Sequence, residues 1–145
     1  MYQQILVPTD GSPAAESAVE QAVSLAKQYD ATIHALYIVD TSAYSTLEAG
    51  AEVIINALEE EGEQAVAEIE AAATEAGVDV KTTVSAGTAY RSILEYAGNN
   101  GIDLIVMGTH GRRGLDRYLL GSVTERVVRT AKMPVLTVRQ PRDED

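Results

Sequence analysis

The stretch Met107-Gly108-Thr109-His110-Gly111-Arg112-Arg113-Gly114, followed after Leu115–Leu120 by Gly121-Ser122, is rich enough in glycine to hold a phosphate. Glycines let a backbone approach a phosphate closely and take positive φ where a turn needs it. Ser122 stands where a helix is expected to begin. The free N–H groups of a helix start, with the positive end of its dipole, favour an anion. Arg112 and Arg113 add positive charge to a chain that otherwise has little. These residues predict a phosphate cradle. The plainer alternative is a solvated loop whose glycines only relieve turns. Two common nucleotide signatures are absent, since neither Gly-x-x-x-x-Gly-Lys-Ser/Thr nor Gly-x-Gly-x-x-Gly follows the first apolar run. A P-loop hydrolase and a nicotinamide dehydrogenase are therefore disfavoured.

Asp10 is a second candidate. Its carboxylate could bind a ribose hydroxyl or help hold Mg²⁺ around a triphosphate, although an Asp in Asp10-Gly11-Ser12-Pro13 is also a common turn residue. A metal held mainly by phosphates and water suits Mg²⁺ better than direct ligation by one carboxylate. His110 could touch phosphate or orient the loop, whereas His34 is expected to be structural, and two such histidines do not make a zinc site. Glutamates crowd residues 48–75, a segment of high helix propensity, and read as a solvated face, with no nucleophile or base near them. The tyrosines are too scattered for a base-stacking platform. With no Cys there is no disulfide or thiolate chemistry.

These residues need elements to position them. Gln4 to Pro8 reads as a strand ended by proline, and Ser12-Pro13 as the N-cap and first turn of a helix. Ala15, Ala18, Val19, Ala22, Leu25 and Ala26 then recur at helical spacing up to about Tyr29. Thr32–Val39 is a second strand. A long helix is expected from about Ala51 to Ala76, with a kink near Gly62 and Gly77 just past its end. Val78–Ser85 follows as a third, partly exposed strand, and Thr88–Ala97 as a short helix. Leu104–Met107 is a continuously apolar strand of the kind buried on both faces. Leu115–Leu120 could add a helical turn inside a long loop. Ser122-Val123-Thr124-Glu125 matches a capping box, and Pro134–Val138 is the last strand. Strands that alternate with helices predict one α/β domain with a mostly parallel five-stranded sheet, helices on both faces and right-handed crossovers. Such sheets bind ligands outside the carboxyl ends of strands where the strand order reverses. Thr9–Ser12, the segment after Val39 and Gly108–Gly121 all fall at that edge.

Composition narrows the partners. The chain has 145 residues, 46% of them apolar, enough for a buried core. Its formal net charge of −11 repels nucleic-acid phosphates and anionic membranes. Arg outnumbers Lys by 8 to 3. Acid excess with few Lys resembles proteins of salt-rich cytoplasms, where screening relieves self-repulsion. The start at Met1 lacks the basic region and long apolar stretch of a secretory signal, and no apolar run approaches a membrane span. A cytoplasmic location is the expectation.

The loop and its surroundings resemble the universal stress protein family. Its ATP-binding branch carries Gly-x2-Gly-x9-Gly-Ser/Thr, met here by Gly108, Gly111, Gly121 and Ser122. The opening Ile5-Leu6-Val7-Pro8-Thr9-Asp10-Gly11-Ser12, the stretch Asp103–Gly111 and the closing Lys132–Val138 are similar to the family too. The resemblance spans nearly the whole chain. It implies a single-domain, three-layer sandwich of the adenine nucleotide alpha hydrolase-like kind, with sheet order 3-2-1-4-5, over residues 1–140, followed by a charged tail at 141–145. It further implies that Asp10 approaches the adenine and ribose, that backbone near Val39 reads the adenine edge, and that Met107 and Gly108 line the ribose side. Gly111, Gly121, Ser122 and Val123 would meet the phosphates of ATP through N–H groups, assisted by the Ser122 hydroxyl. Pro8, Thr9 and Thr124 would form pocket walls. The family motif does not specify Arg112 and Arg113, whose phosphate role rests on charge and position. Family members commonly form dimers through the last strand, here Val135–Val138, an apolar edge in that order. The resulting expectation is an ATP-binding regulatory protein of the stress response. The alternatives are a slow Mg²⁺-dependent ATPase or related adenine-nucleotide enzyme, and a protein-interaction dimer that binds no nucleotide.

Overall fold

The computed structural model describes residues 1–41, 50–109 and 121–139. Along them run β1 (Gln4–Thr9), α1 (Pro13–Tyr29), β2 (Thr32–Asp40), α2 (Ala51–Glu75), β3 (Val80–Gly87), α3 (Ala89–Asn99), β4 (Leu104–Gly108), α4 (Ser122–Thr130) and β5 (Val135–Val138). The strands form one parallel sheet in the order β3-β2-β1-β4-β5. Side chains alternate between its faces. Ile5, Val7, Ile33, Ala35, Leu104 and Val106 pack with α1 and α2, while Leu6, Leu36, Ile105 and Met107 pack with α3 and α4. Covering both faces explains why β1 and β4 read as unbroken apolar runs.

α1 starts as its sequence predicts. The Ser12 hydroxyl accepts a hydrogen bond from the Ala15 amide at 3.3 Å, and Pro13 opens the first turn. The buried residues of α1 are all alanine (Ala14, Ala15, Ala18, Ala22 and Ala26), so its backbone lies close to the sheet.

α2 runs without interruption through Gly62, which is buried against Tyr37; an added Cβ there would stand 2.6 Å from the ring Cδ1, so Gly62 marks a close helix–strand contact. One expectation about the end of α2 needs correction. The strand after α2 begins at Val80, two residues later than expected. Val78 is taken up in closing the helix: its amide donates to the Ala73 carbonyl at 2.8 Å and that of Gly77 to Thr74 at 3.0 Å, with Gly77 at φ +77°. This is a Schellman ending, and buried Val78 is its apolar contact.

His34 is structural, as expected. It is 2% exposed on β2, with Nδ1 2.7 Å from the Tyr96 hydroxyl and Nε2 2.6 Å from Gln4 Oε1. The Gln4 carbonyl can only accept, so the ring proton sits on Nε2 and the Tyr96 hydroxyl donates to Nδ1. Burial, followed by the charge of Lys81, lowers the His34 pKa below its ordinary value. A neutral, fully partnered imidazole fits that setting. Among the described residues, no helix is long and apolar enough to cross a membrane.

Candidate functional site

β1 and β4 are neighbours in the sheet, but the chain leaves them toward opposite faces, into α1 and α4 respectively. This is the point where the strand order reverses, and ligands of open α/β sheets bind there. Gly108 closes β4 directly under the first turn of α1. A Cβ on it would come within 3.0 Å of the Ala14 carbonyl oxygen and 3.2 Å of the Ala14 Cβ. A side chain there would fit only if that backbone gave way by a few tenths of an ångström.

The ends of the segment between β4 and α4 are tied together. The Gly121 amide donates to the Thr109 carbonyl at 2.7 Å, the Thr109 amide to the Val138 carbonyl at 3.0 Å, and the Thr124 hydroxyl to the Gly108 carbonyl at 2.9 Å. Thr109 and Thr124 are buried. Thr124 thus pins the first turn of α4 to the end of β4. Gly111, Arg112, Arg113 and His110 lie outside the described residues.

The capping box does not form. Gly121 is the N-cap residue of α4, its carbonyl accepting from the Glu125 amide at 2.8 Å, and no side chain caps the helix. Ser122 is the first helical residue, and Glu125 turns the other way to pair with Arg129 at 3.0 Å. The consequence is chemical. Ser122, Val123 and Thr124 carry the amides that a helix cannot pair within itself, and Ser122 is exposed.

The remaining predicted residues sit along the same edge. Pro8 is buried and Thr9 half-buried at the end of β1. Asp10 is half-buried just beyond; its Oδ1 accepts from the Ser12 amide at 2.9 Å, and the Thr9 hydroxyl oxygen accepts from Gly11 at 3.0 Å. Asp10 therefore shapes the β1–α1 turn as well as facing this edge of the sheet. Val39 and Met107 are buried near the ends of β2 and β4.

One carboxylate had no sequence signal. Asp40, next to Val39, accepts from the Ala89 amide at 3.4 Å and so serves the start of α3, where Thr88 makes no side-chain cap. The two residues lie far apart in sequence, and only the β2–β3 pairing brings them together. Among the described residues, no group of three or more His, Asp or Glu is placed to hold a metal ion.

The family model for the universal stress proteins matches residues 1–139. The chain belongs to the universal stress protein family. Universal stress protein MJ0531 of Methanocaldococcus jannaschii is 42% identical over 146 aligned residues, covering 99% of this chain and 86% of that protein. The structure of MJ0577 from the same organism superposes with a TM-score of 0.88 at 31% identity and covers 99% of both chains. A universal stress protein solved in complex with cAMP superposes with a TM-score of 0.76 at 27% identity, covering 97% of this chain and 99% of its own. The parallel 3-2-1-4-5 sheet is thus the family fold.

Proposed function

We propose that this universal stress protein binds an adenine nucleotide, ATP foremost, across the carboxyl ends of β2, β1 and β4, and that occupancy serves a regulatory role in the stress response. One observation carries the reading: α4 begins on glycine, without a side-chain cap, tied to the end of β4 where Gly108 lies tight against the first turn of α1. An anion is the partner such a helix start lacks. The family relative in complex with cAMP supports an adenine nucleotide as the anion's source.

In this reading the amides of Ser122 and Val123, with the Ser122 hydroxyl and Gly111, take phosphate oxygens; the Gly121 amide, expected to join them, is already bound to the Thr109 carbonyl at 2.7 Å and holds the loop end instead. Arg112 and Arg113 add charge. Asp10 and the Val39 backbone face ribose and adenine, Met107 and Gly108 line the ribose side, and Pro8, Thr9 and Thr124 wall the pocket. Mg²⁺ would arrive with the phosphates, held by them and by water. A regulatory role further requires that the nucleotide bind two conformations with different affinity.

Ser122→Pro tests the cradle. Proline is well suited to the first position of a helix, and Gly121 already has the extended backbone (φ −65°, ψ 157°) that a residue before proline prefers. The substitution removes one amide donor and one hydroxyl while sparing the helix. Calorimetric titration of nucleotide-free protein with Mg²⁺ should show ATP binding in the wild type and a loss of at least about tenfold in S122P, the scale of a charge-assisted hydrogen bond. Unchanged affinity in a folded S122P protein, or no binding by the wild type, would overturn the reading.

We further propose a homodimer through β5. Leu136 is 37% exposed on β5, an edge strand of the sheet, a surface that pairing would cover. Light scattering at high micromolar concentration should give twice the chain mass; a monomer there would refute it.

A further inference from the structure

A cationic cluster stands beside the proposed cradle. Arg126 on α4 places its Cζ 4.6 Å from the centroid of the Tyr90 ring on α3, and Arg91 places its own 5.7 Å from the same ring. Arg91 Nη2 also donates to the Tyr90 hydroxyl at 3.3 Å. Two guanidinium groups are thus gathered on one half-buried ring.

Stability alone does not account for this. Exposed cation–π contacts are weak attractions, and two like charges brought together repel. The chain has 22 acidic residues against 11 basic ones, so carboxylates to neutralise the pair are plentiful. Yet among the described residues neither Arg91 nor Arg126 has a carboxylate at ion-pair distance, whereas Arg129, one turn further on α4, pairs with Glu125 at 3.0 Å. Glu95, one turn along α3, acts on Arg91 only through its field. The Tyr90 hydroxyl has its pKa lowered, first by the hydrogen bond from Arg91 and then by the charge of that group, with a smaller contribution from Arg126. An anion is what the cluster lacks.

Its place in the fold suggests which anion. Tyr90 and Arg91 follow Ala89, whose amide meets Asp40 immediately after Val39. Arg126 lies one helical turn beyond Ser122, and helical side chains slant toward the N-terminus, so it reaches back toward the uncapped end of α4. That end is fixed to β4 through Thr124 and Gly108. The cluster therefore joins the first turn of α3 to the second turn of α4, two helices that both start at the edge where the nucleotide is placed above. Arginine suits phosphoryl oxygens because its planar fork binds them in pairs.

We propose that Arg91 and Arg126, gathered on Tyr90, form a subsite for the terminal phosphates of a nucleoside triphosphate and so make this chain select ATP over AMP. The proposal rests on the nucleotide reading above. AMP has a single phosphoryl group, which the amides of α4 occupy, and it presents nothing to the arginines. ATP presents its β- and γ-phosphates.

The test is calorimetric titration of the whole chain with ATP, ADP and AMP in the presence of Mg²⁺, on wild type, R91Q/R126Q and R129Q. Wild type should bind ATP at least tenfold more tightly than AMP, with ADP between them. R91Q/R126Q should lose about ten- to a hundredfold in ATP affinity, the worth of charge-assisted hydrogen bonds, and less than twofold for AMP. R129Q removes a paired arginine from the same helix and should leave the ATP-to-AMP ratio unchanged, which separates a subsite from a general loss of positive charge. Circular dichroism checks folding, and if the double variant does not fold, R91Q and R126Q singly carry the test. An equal loss for ATP and AMP, no loss for ATP, or an R129Q effect as large as that of the pair would overturn the subsite while leaving the cradle standing. Failure of wild type to bind any of the three nucleotides would overturn both.

Discussion

Gly62→Ala should destabilise the protein by about 2 kcal/mol, although alanine is the better helix former. In an exposed helix interior the exchange gains about 1 kcal/mol from backbone entropy. Here the new methyl would stand 2.6 Å from Tyr37 Cδ1 and 3.0 Å from Cγ, atoms near the root of a ring that is 5% exposed. The ring is held further by its hydroxyl, which donates to Glu61 at 3.3 Å. Ring or helix must shift, since the contact is not with the free end of a flexible chain, and overpacking of a core costs about 1–3 kcal/mol. A urea midpoint lowered without a change in slope is the expected result. The sign should reverse when the ring is removed: in a Tyr37→Ala background, Gly62→Ala should gain up to about 1 kcal/mol, its propensity alone. A Gly62→Ala protein more stable than wild type would show that the contact with Tyr37 does not limit α2.

The same glycine illustrates where the sequence is silent. Periodicity finds α2, because a buried stripe is a local pattern, but Gly62 within it is compatible with a kink, an exposed position or a close approach. Only the position of Tyr37 on β2 decides between them. The start of β3 is a similar case. Val78 has the β-branching of a strand residue, yet Gly77 before it allows the helix to close on itself, and the closure claims Val78 first. Alternating strands and helices, by contrast, are read along the chain without knowledge of distant partners, so the parallel sheet with helices on both faces is legible from the outset.

The candidate site divides in the same way. Its glycines and Ser122 announce themselves as a glycine-rich stretch before an expected helix start, since a phosphate cradle is built from local backbone. What the backbone is fastened to does not. Ser122-x-x-Glu125 satisfies a capping box on paper, but Gly121 can cap as well, and Arg129 one turn on offers Glu125 a charged partner. The local motif loses to an ion pair equally local, and the helix start is left open as a result. Asp40 on Ala89 and Arg126 on Tyr90 join residues on different elements, and no pattern along the chain foretells either contact.

Gly108 is where fold and site meet, and Gly108→Val should damage both. Strand propensity alone predicts that valine at the end of β4 would help, and Gly108 is not among the residues with positive φ, so no conformational penalty opposes it. Space does. The first Cβ would already lie 3.0 Å from the Ala14 carbonyl oxygen and 3.1 Å from its carbon, both backbone atoms of the first turn of α1. Valine adds two methyl groups to that contact. α1 must then retreat from β4, taking the Asp10 turn with it, or β4 must sink and draw Thr124 and the start of α4 away through the bond to the Gly108 carbonyl. Either movement separates the two sides of the proposed nucleotide site. The expected outcome is a stability loss of about 1–3 kcal/mol by denaturation, with ATP affinity reduced at least about tenfold in protein that remains folded, since small displacements of binding groups are costly. Gly108→Ala should fall between valine and wild type on both measures, because its neighbour need give by only a few tenths of an ångström. ATP binding that survives Gly108→Val undiminished would place the nucleotide away from the junction of β1 and β4, whatever the effect on stability.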